Sequence, residues 1–445
     1  MKKYIHHKTF NVLLLVLSLF LSATLSAYDL ERTHSVTKEV SVNASTKFNF
    51  YHQRGPLTIE YYNGATAIIE VNLVARGDVE EDLDLLLSKF KLEESGGSGN
   101  KTIKSDDQIK EWNQKKGWFS GEKTRIKFQD GTQINSKIEE YTATAVLKIP
   151  MVQSLGLSNK YYDIDVPDVP FNLTVDLFSG KLTGGNVQGD FEAKIKYGSG
   201  TIGDVQNSKL DLFDSKFDMS SVHDLEMKDK YSKIKIGPSN SVNAESFDSN
   251  LELGSIKGAF DINGKYCEVI AKDFEQGKWD VFDSDIRFTN AKHLDVKTKY
   301  SEFGANEVID MEVHSFDDNF DIERVGNLNS SQSKYSEYTI DEFQGAFKIG
   351  ESFDDIIRLE VIGSGFAGFE VESKYSKISL PLSDRIKFQL DAKMKYGGVE
   401  FNQEDFDVSS YIKENSEINI QAKVKGAVAT SPKVVIRGFS TELKL

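Results

Sequence analysis

The chain has 445 residues, with 69 acidic against 54 basic side chains and a formal net charge of −15. That balance opposes binding to nucleic acid or to an anionic lipid surface. Its 29 phenylalanines, 17 tyrosines and only 7 prolines exclude a collagen-like or disordered chain and point to short strands joined by tight polar turns.

Residues 1–27 have the layout of a secretory signal peptide. Lys2, Lys3 and Lys8 precede an apolar run at residues 12–22, and small residues lead to a cleavage point after Ala27. An uncleaved anchor is the alternative, but the run is shorter than the roughly 20 residues of a membrane span. No later segment is apolar enough to cross as a helix. Removing three lysines with the leader leaves 51 basic against 69 acidic groups, a net of −18. The expected address is the periplasm or the cell surface. Cys267 is the only cysteine, so neither a lipoprotein anchor at the cleavage point nor a disulfide framework is available. It is expected to be a buried free thiol.

Residues 28–159 read as a β-rich N-terminal portion. VSVNASTKFNFYH, PLTIEYY and ATAIIEVNLVARG alternate as half-buried strands do. DVEEDLDLLLSKFKL, at about 79–93, breaks the alternation. Leu83, Leu85, Leu86, Leu87 and Phe90 share a helical stripe with acids near its start, which predicts one helix acting as a cover or cap. Residues 94–121 are polar and glycine-containing and read as loops. Their Trp112, Trp118 and Phe119 are expected to plug the nearest core. Strand character returns at TRIKFQDG and EEYTATAVLKIP.

From Lys160 the sequence repeats. Lys-Tyr recurs with its tyrosine at Tyr161, Tyr197, Tyr231, Tyr266, Tyr300, Tyr335, Tyr375 and Tyr396, giving intervals of 36, 34, 35, 34, 35, 40 and 21. Midway falls a Phe with a polar or small pair, at Phe178, Phe213, Phe247, Phe282, Phe316 and Phe353. The unit is therefore about 17 residues in two alternating versions, too short for a helix pair and suited to one coil of a β-solenoid. The predicted fold is all-β: a single-chain, parallel β-helix-like solenoid over 160–400, with closing strands over 401–445. Equivalent tyrosines, two coils apart, would lie about 10 Å apart. Within a coil, Ser232, Ile234 and Ile236 mark the inward phase, as do Phe213, Ser215, Phe217 and Met219. The tyrosines Tyr197, Tyr231, Tyr266, Tyr300, Tyr335 and Tyr375 form an outward binding ladder, unless the chain turns after each tyrosine and buries it at a corner.

No catalytic, cofactor or metal motif stands out. His34, His52, His223, His293 and His314 are isolated and read as surface or turn residues, with no HExxH, GxSxG, phosphate loop or dinucleotide fingerprint. The row Asp214, Asp248, Asp283, Asp317 and Asp354 occupies one repeat position, which describes a solvated turn face rather than a single site. Asp317-Asp318 and Asp354-Asp355 are its densest points, where weak calcium binding is conceivable.

Several stretches resemble the "putative adhesin" family of uncharacterised exported Bacteroidetes proteins, related to the head domain of autotransporter adhesins. Residues 54–77 look like that family's opening strands, 79–93 like its acidic helix and 141–166 like its transition into repeats. The Lys-Tyr-Gly or Lys-Tyr-Ser steps at 196–198, 230–232, 299–301, 334–336, 374–376 and 395–397 look like its repeat core. Tyr162 and Cys267 depart from the small residues usual there. The resemblance implies a β-helical fold, export and no catalytic residues. The leading expectation is a non-enzymatic protein binding a glycan or a cell-envelope protein along the solenoid face, without a cofactor. A structural or envelope-stress role comes second, and a carbohydrate-active enzyme on a β-helix third. That enzyme reading requires a groove where carboxylates from neighbouring coils converge. Nothing in the sequence specifies an oligomeric state.

Overall fold

The computed structural model describes residues 30–117, 121–382 and 386–445. The signal segment and the Trp118-Phe119 pair lie outside these residues.

The repeat folds as its alternation dictates. Within Lys216–Lys230, Phe217, Met219, Val222, Leu225 and Met227 are buried while the residues between them face outward or lie half-buried. One coil runs Lys216–Met219, bends through Ser221 and Val222, and continues over Asp224–Lys230. The next coil stacks on it in parallel register, Lys216 opposite Lys233 and Lys230 opposite Phe247. Each coil completes its neighbour's backbone ladder and covers its apolar interior, the way solenoids bury a core that no single repeat could bury. The result is a β-solenoid of about 13 turns. Aromatic side chains also stack inside it, as in the Phe303, Phe320 and Tyr338 column with centroids 4.9 Å apart at each step.

Each coil closes at a corner made by one residue with positive φ. In one version this is the tyrosine, at 58–62° from Tyr197 to Tyr375; in the other it is the aspartate, at 47–61° from Asp214 to Asp354. A single left-handed residue shifts the in–out alternation by one place. Asp229 is buried, Lys230 and Tyr231 both face out, and Ser232 is buried again. This corrects the inward reading of Phe213: only Ser215, Phe217 and Met219 beyond the corner are buried, while Phe213, before it, lies half-exposed on the outer surface.

The stack begins before Lys160. Lys47–Tyr51 pairs in parallel with Ser154–Lys160, and Leu57–Tyr61 with Ile164 and Asp165, so residues 47–61 form an earlier coil. Leu30–Ser41 and Ile138–Ile149 both run antiparallel to Thr66–Gly77 at this end. The helix spans Glu80–Ser88, shorter than expected, and packs Leu83, Leu86 and Leu87 against these strands. Phe90 is buried beyond it, and a strand begins at Lys91. Where the expected loops of 94–121 are described, they are instead paired antiparallel strands, Lys91–Gly97 with Asn100–Asp106 and Ile109–Gly117 with Gly121–Phe128. Lys91–Gly97 is exposed along nearly its whole length, so it carries no alternation to read. Trp112 does cover the N-terminal core, stacked on Tyr141 at 6.2 Å with the Arg54 guanidinium over its ring.

The C-terminal end is not stacked in chain order. Lys433–Phe439 inserts between Gly368–Lys374 and Gln389–Lys395, parallel to both. Glu442–Lys444 likewise inserts between Lys377–Ser379 and Gly398–Glu400. The last residues thus form the penultimate coil of the stack, with only the coil of Gln389–Lys395 and Gly398–Glu400 beyond it. The antiparallel strands Phe406–Glu414 and Glu417–Val424 cover the side of Gln389–Lys395 that remains, protecting an otherwise open sheet edge.

Candidate functional site: an aromatic ladder at the solenoid corner

The left-handed corner turns each tyrosine outward, and the register places it beside the phenylalanines of the adjoining coils. Tyr197, Tyr231, Tyr266, Tyr300, Tyr335 and Tyr375 are each 46–50% exposed. The chain does turn at each tyrosine, yet the ring faces solvent and is not buried at the corner. Each ring meets the neighbouring phenylalanines edge to face. The ladder runs without a break from Tyr161 and Phe178 to Tyr375, with centroids 5.4–5.7 Å apart. It then crosses to Phe439 and returns to Tyr396. Phe439-Ser440-Thr441 on the inserted strand therefore supplies the half-repeat missing from the short interval between Tyr375 and Tyr396. Ser440 has the same positive φ, 54°, as its counterparts. The signal for it was the likeness of Phe439-Ser440-Thr441 to Phe178-Ser179-Gly180.

Beneath the ladder lies a polar seam of side chains that bond to the backbone of the adjoining coil. The Ser215 N–H donates to Ser232 Oγ at 3.3 Å, Ser232 N–H to Ser249 Oγ at 3.0 Å and Ser284 N–H to Ser301 Oγ at 3.2 Å. Cys267 takes one such place, buried as expected, and burial raises its thiol pKa. Asp318 and Asp355 take two more, receiving the N–H of Ser301 at 2.8 Å and of Ser336 at 2.9 Å. They are buried, unlike Asp317 and Asp354 before them. Asp229 lies in the same seam, accepting from Ser246 Oγ at 2.5 Å. Burial away from any cation pushes all three carboxyls up to about 6.

The histidines are separate. His52 is buried, not at the surface: its Nδ1 meets Ser105 Oγ at 3.0 Å and its Nε2 the Ala143 carbonyl at 2.7 Å, tying three N-terminal strands together. Desolvation lowers its pKa to about 4. His223, His293 and His314 are exposed and engaged locally, with Asp224, Asp310 and Ser331. Among the described residues no group of three or more His, Cys, Asp or Glu is placed to hold a metal ion. Asp261, Asp295, Asp310 and Glu312 do line one open groove of about 770 Å³. They stand in rows along successive coils, and Asp310 is already bonded to His293 at 3.0 Å and to Asn327 Nδ2 at 2.7 Å. No helix among the described residues is long and apolar enough to cross a membrane.

No family model matches the chain, and no curated protein matches its sequence. Among solved structures, a "putative cell adhesion protein" from Clostridium sporogenes ATCC 15579 aligns over 93% of this chain and 98% of its own, at 11% identity and a TM-score of 0.17. A "putative lipid binding protein" from Parabacteroides distasonis ATCC 8503 aligns over 67% of this chain and 97% of its own, at 10% identity and a TM-score of 0.21.

Proposed function

We propose that this is an exported, non-enzymatic binding protein of adhesin-like type, acting in the periplasm or at the cell surface through the ladder face. The observation that carries the reading is the uninterrupted row of half-exposed tyrosines, Tyr197 to Tyr375, held on a rigid corner. A tyrosine ring offers an apolar face and a hydroxyl at little entropic cost, which suits it to recognition. A solenoid scaffold fixes many such rings in line before any partner arrives, so little ordering is needed on binding. The leader-like sequence of residues 1–27 supports export.

A second reading has one observation in its favour. Each tyrosine packs between two phenylalanines, so the ladder also has a packing role and needs no ligand to explain it. A glycan array probed with the mature chain, residues 28–445, separates the two. The binding reading expects reproducible retention on at least one glycan class. Retention on none would move the ladder to a structural role.

A further inference from the structure

We propose that the ladder face takes a neutral, linear, hydroxyl-rich polysaccharide lying parallel to the solenoid axis; this rests on the binding reading above. The argument comes from the charges beside the rings. Some solenoid lysines are paired from coil to coil, as in Lys209 with Glu226 at 3.0 Å, Lys228 with Glu245 at 2.9 Å and Lys235 with Glu252 at 2.6 Å. The lysines that precede the ladder tyrosines are among those left unpaired. Among the described residues, Lys230, Lys265, Lys299, Lys334 and Lys374 have no carboxylate within ion-pair distance, and Lys299 instead stands over the Phe316 ring at 5.5 Å. The aspartates that follow the ladder phenylalanines, Asp214 to Asp354, are likewise exposed and have no side-chain partner among the described residues.

Each two-coil unit therefore presents one exposed tyrosine, one half-exposed phenylalanine, one ammonium free to donate and one carboxylate free to accept. The unit repeats about every 10 Å along the axis, two strand spacings. Three properties of a ligand follow. It has apolar C–H faces to lie against rings. It has groups that both donate to Asp and accept from Lys, as a hydroxyl does and a carboxylate or phosphate does not. It carries no net charge, because one cation and one anion per unit leave the strip without a field to attract a polyanion. A pyranose chain meets all three, and its own translational repeat lets successive sugars meet successive units. Affinity then grows with chain length, because each added contact is intramolecular.

The test measures binding of the mature chain to neutral cello-, manno- and chito-oligosaccharides of two to eight sugars, with polygalacturonate as the anionic comparator. The same series is run on K230Q/K265Q/K299Q and on Y231N/Y266N/Y300N, both checked for unchanged far-UV circular dichroism. In at least one neutral series the octamer is expected to bind tighter than the dimer by about a hundredfold. The lysine variant is expected to lose about tenfold on the octamer and little on the dimer. Salt is expected to have little effect. Binding of polygalacturonate alone, abolished by salt and by the tyrosine changes, would overturn the neutral-glycan assignment and leave the ladder as a binding face. Length-independent binding, or binding to no neutral series, would also overturn the assignment. Octamer binding unchanged in the tyrosine variant would overturn both readings.

Discussion

Each ladder tyrosine occupies a backbone region that costs a residue with a Cβ about 1–2 kcal/mol. Two edge-to-face contacts of about 0.5–1.5 kcal/mol each offset it, so the ring and the strain nearly balance. Replacing Tyr266 by Asn, which tolerates this region, should destabilise by about 1 kcal/mol or less. Valine at Tyr266 loses the same ring and strains the corner further, so Y266V should be less stable than Y266N by about 1–2 kcal/mol in urea unfolding. Equal stabilities would contradict the corner assignment. The seam beneath sets a pH dependence. A carboxyl whose folded pKa lies at about 6, above its unfolded value near 3.9, contributes stability that is full below the unfolded value and lost as pH rises through the folded one. His52, lowered to about 4, acts oppositely, its contribution falling as pH drops below about 6.5. From pH 7 to pH 5 three carboxyls gain about 1 kcal/mol each and His52 loses about 2 kcal/mol, so the carboxyls win by a small margin. Thermal melting should be higher at pH 5 than at pH 7, and D229N should reduce that difference. A melting temperature that falls towards pH 5 would count against the seam. Asp318 and Asp355 were within reach of the sequence, since they occupy the serine place when the copies are aligned. The burial of Asp229, which lies before the corner, was not legible, because the parity shift there cannot be seen until the positive φ of Tyr231 is known.

Among the elements, the repeat itself was the most legible part. Period-two burial in stretches such as Ile256–Lys265 and Asp285–Lys299 leaves a direct imprint on the sequence, and so does the 34–35-residue spacing of Lys-Tyr. The hairpins of residues 91–128 left none where both faces of a strand meet solvent, as in Lys91–Gly97. The C-terminal insertion was illegible for a different reason. Lys433–Phe439 reads as an ordinary strand, and nothing local states which neighbours it will separate. Its consequence is specific. Val434, Ile436 and Leu443 are buried between the coils on either side, so a chain ending at residue 425 leaves a coil-sized gap. Contacts in a solenoid pass only between neighbours. Hydrogen exchange should therefore show lost protection over 368–379 and 389–424, with the strands from Ser199 to Phe353 protected as before. Protection retained on both sides of the gap would mean that the C-terminal coil adds nothing to its neighbours.

The whole molecule is one long acidic body whose corner carries a strip of a different kind. The ladder keeps its tyrosines half-exposed, and the lysines and aspartates beside them have no ion-pair partner among the described residues. A rigid periodic strip of this sort favours extended partners over compact ones, because only a repeating partner can use every unit. The most direct measurement is a glycan array run side by side on the mature chain and on Y231N/Y266N/Y300N. Removing three adjacent rungs forfeits three stacking contacts of about 0.5–1.5 kcal/mol each. That corresponds to a loss of at least about tenfold in affinity for every glycan retained by the unchanged chain. If both proteins, equally folded, retained the same glycans with the same strength, the ladder would not be the binding face.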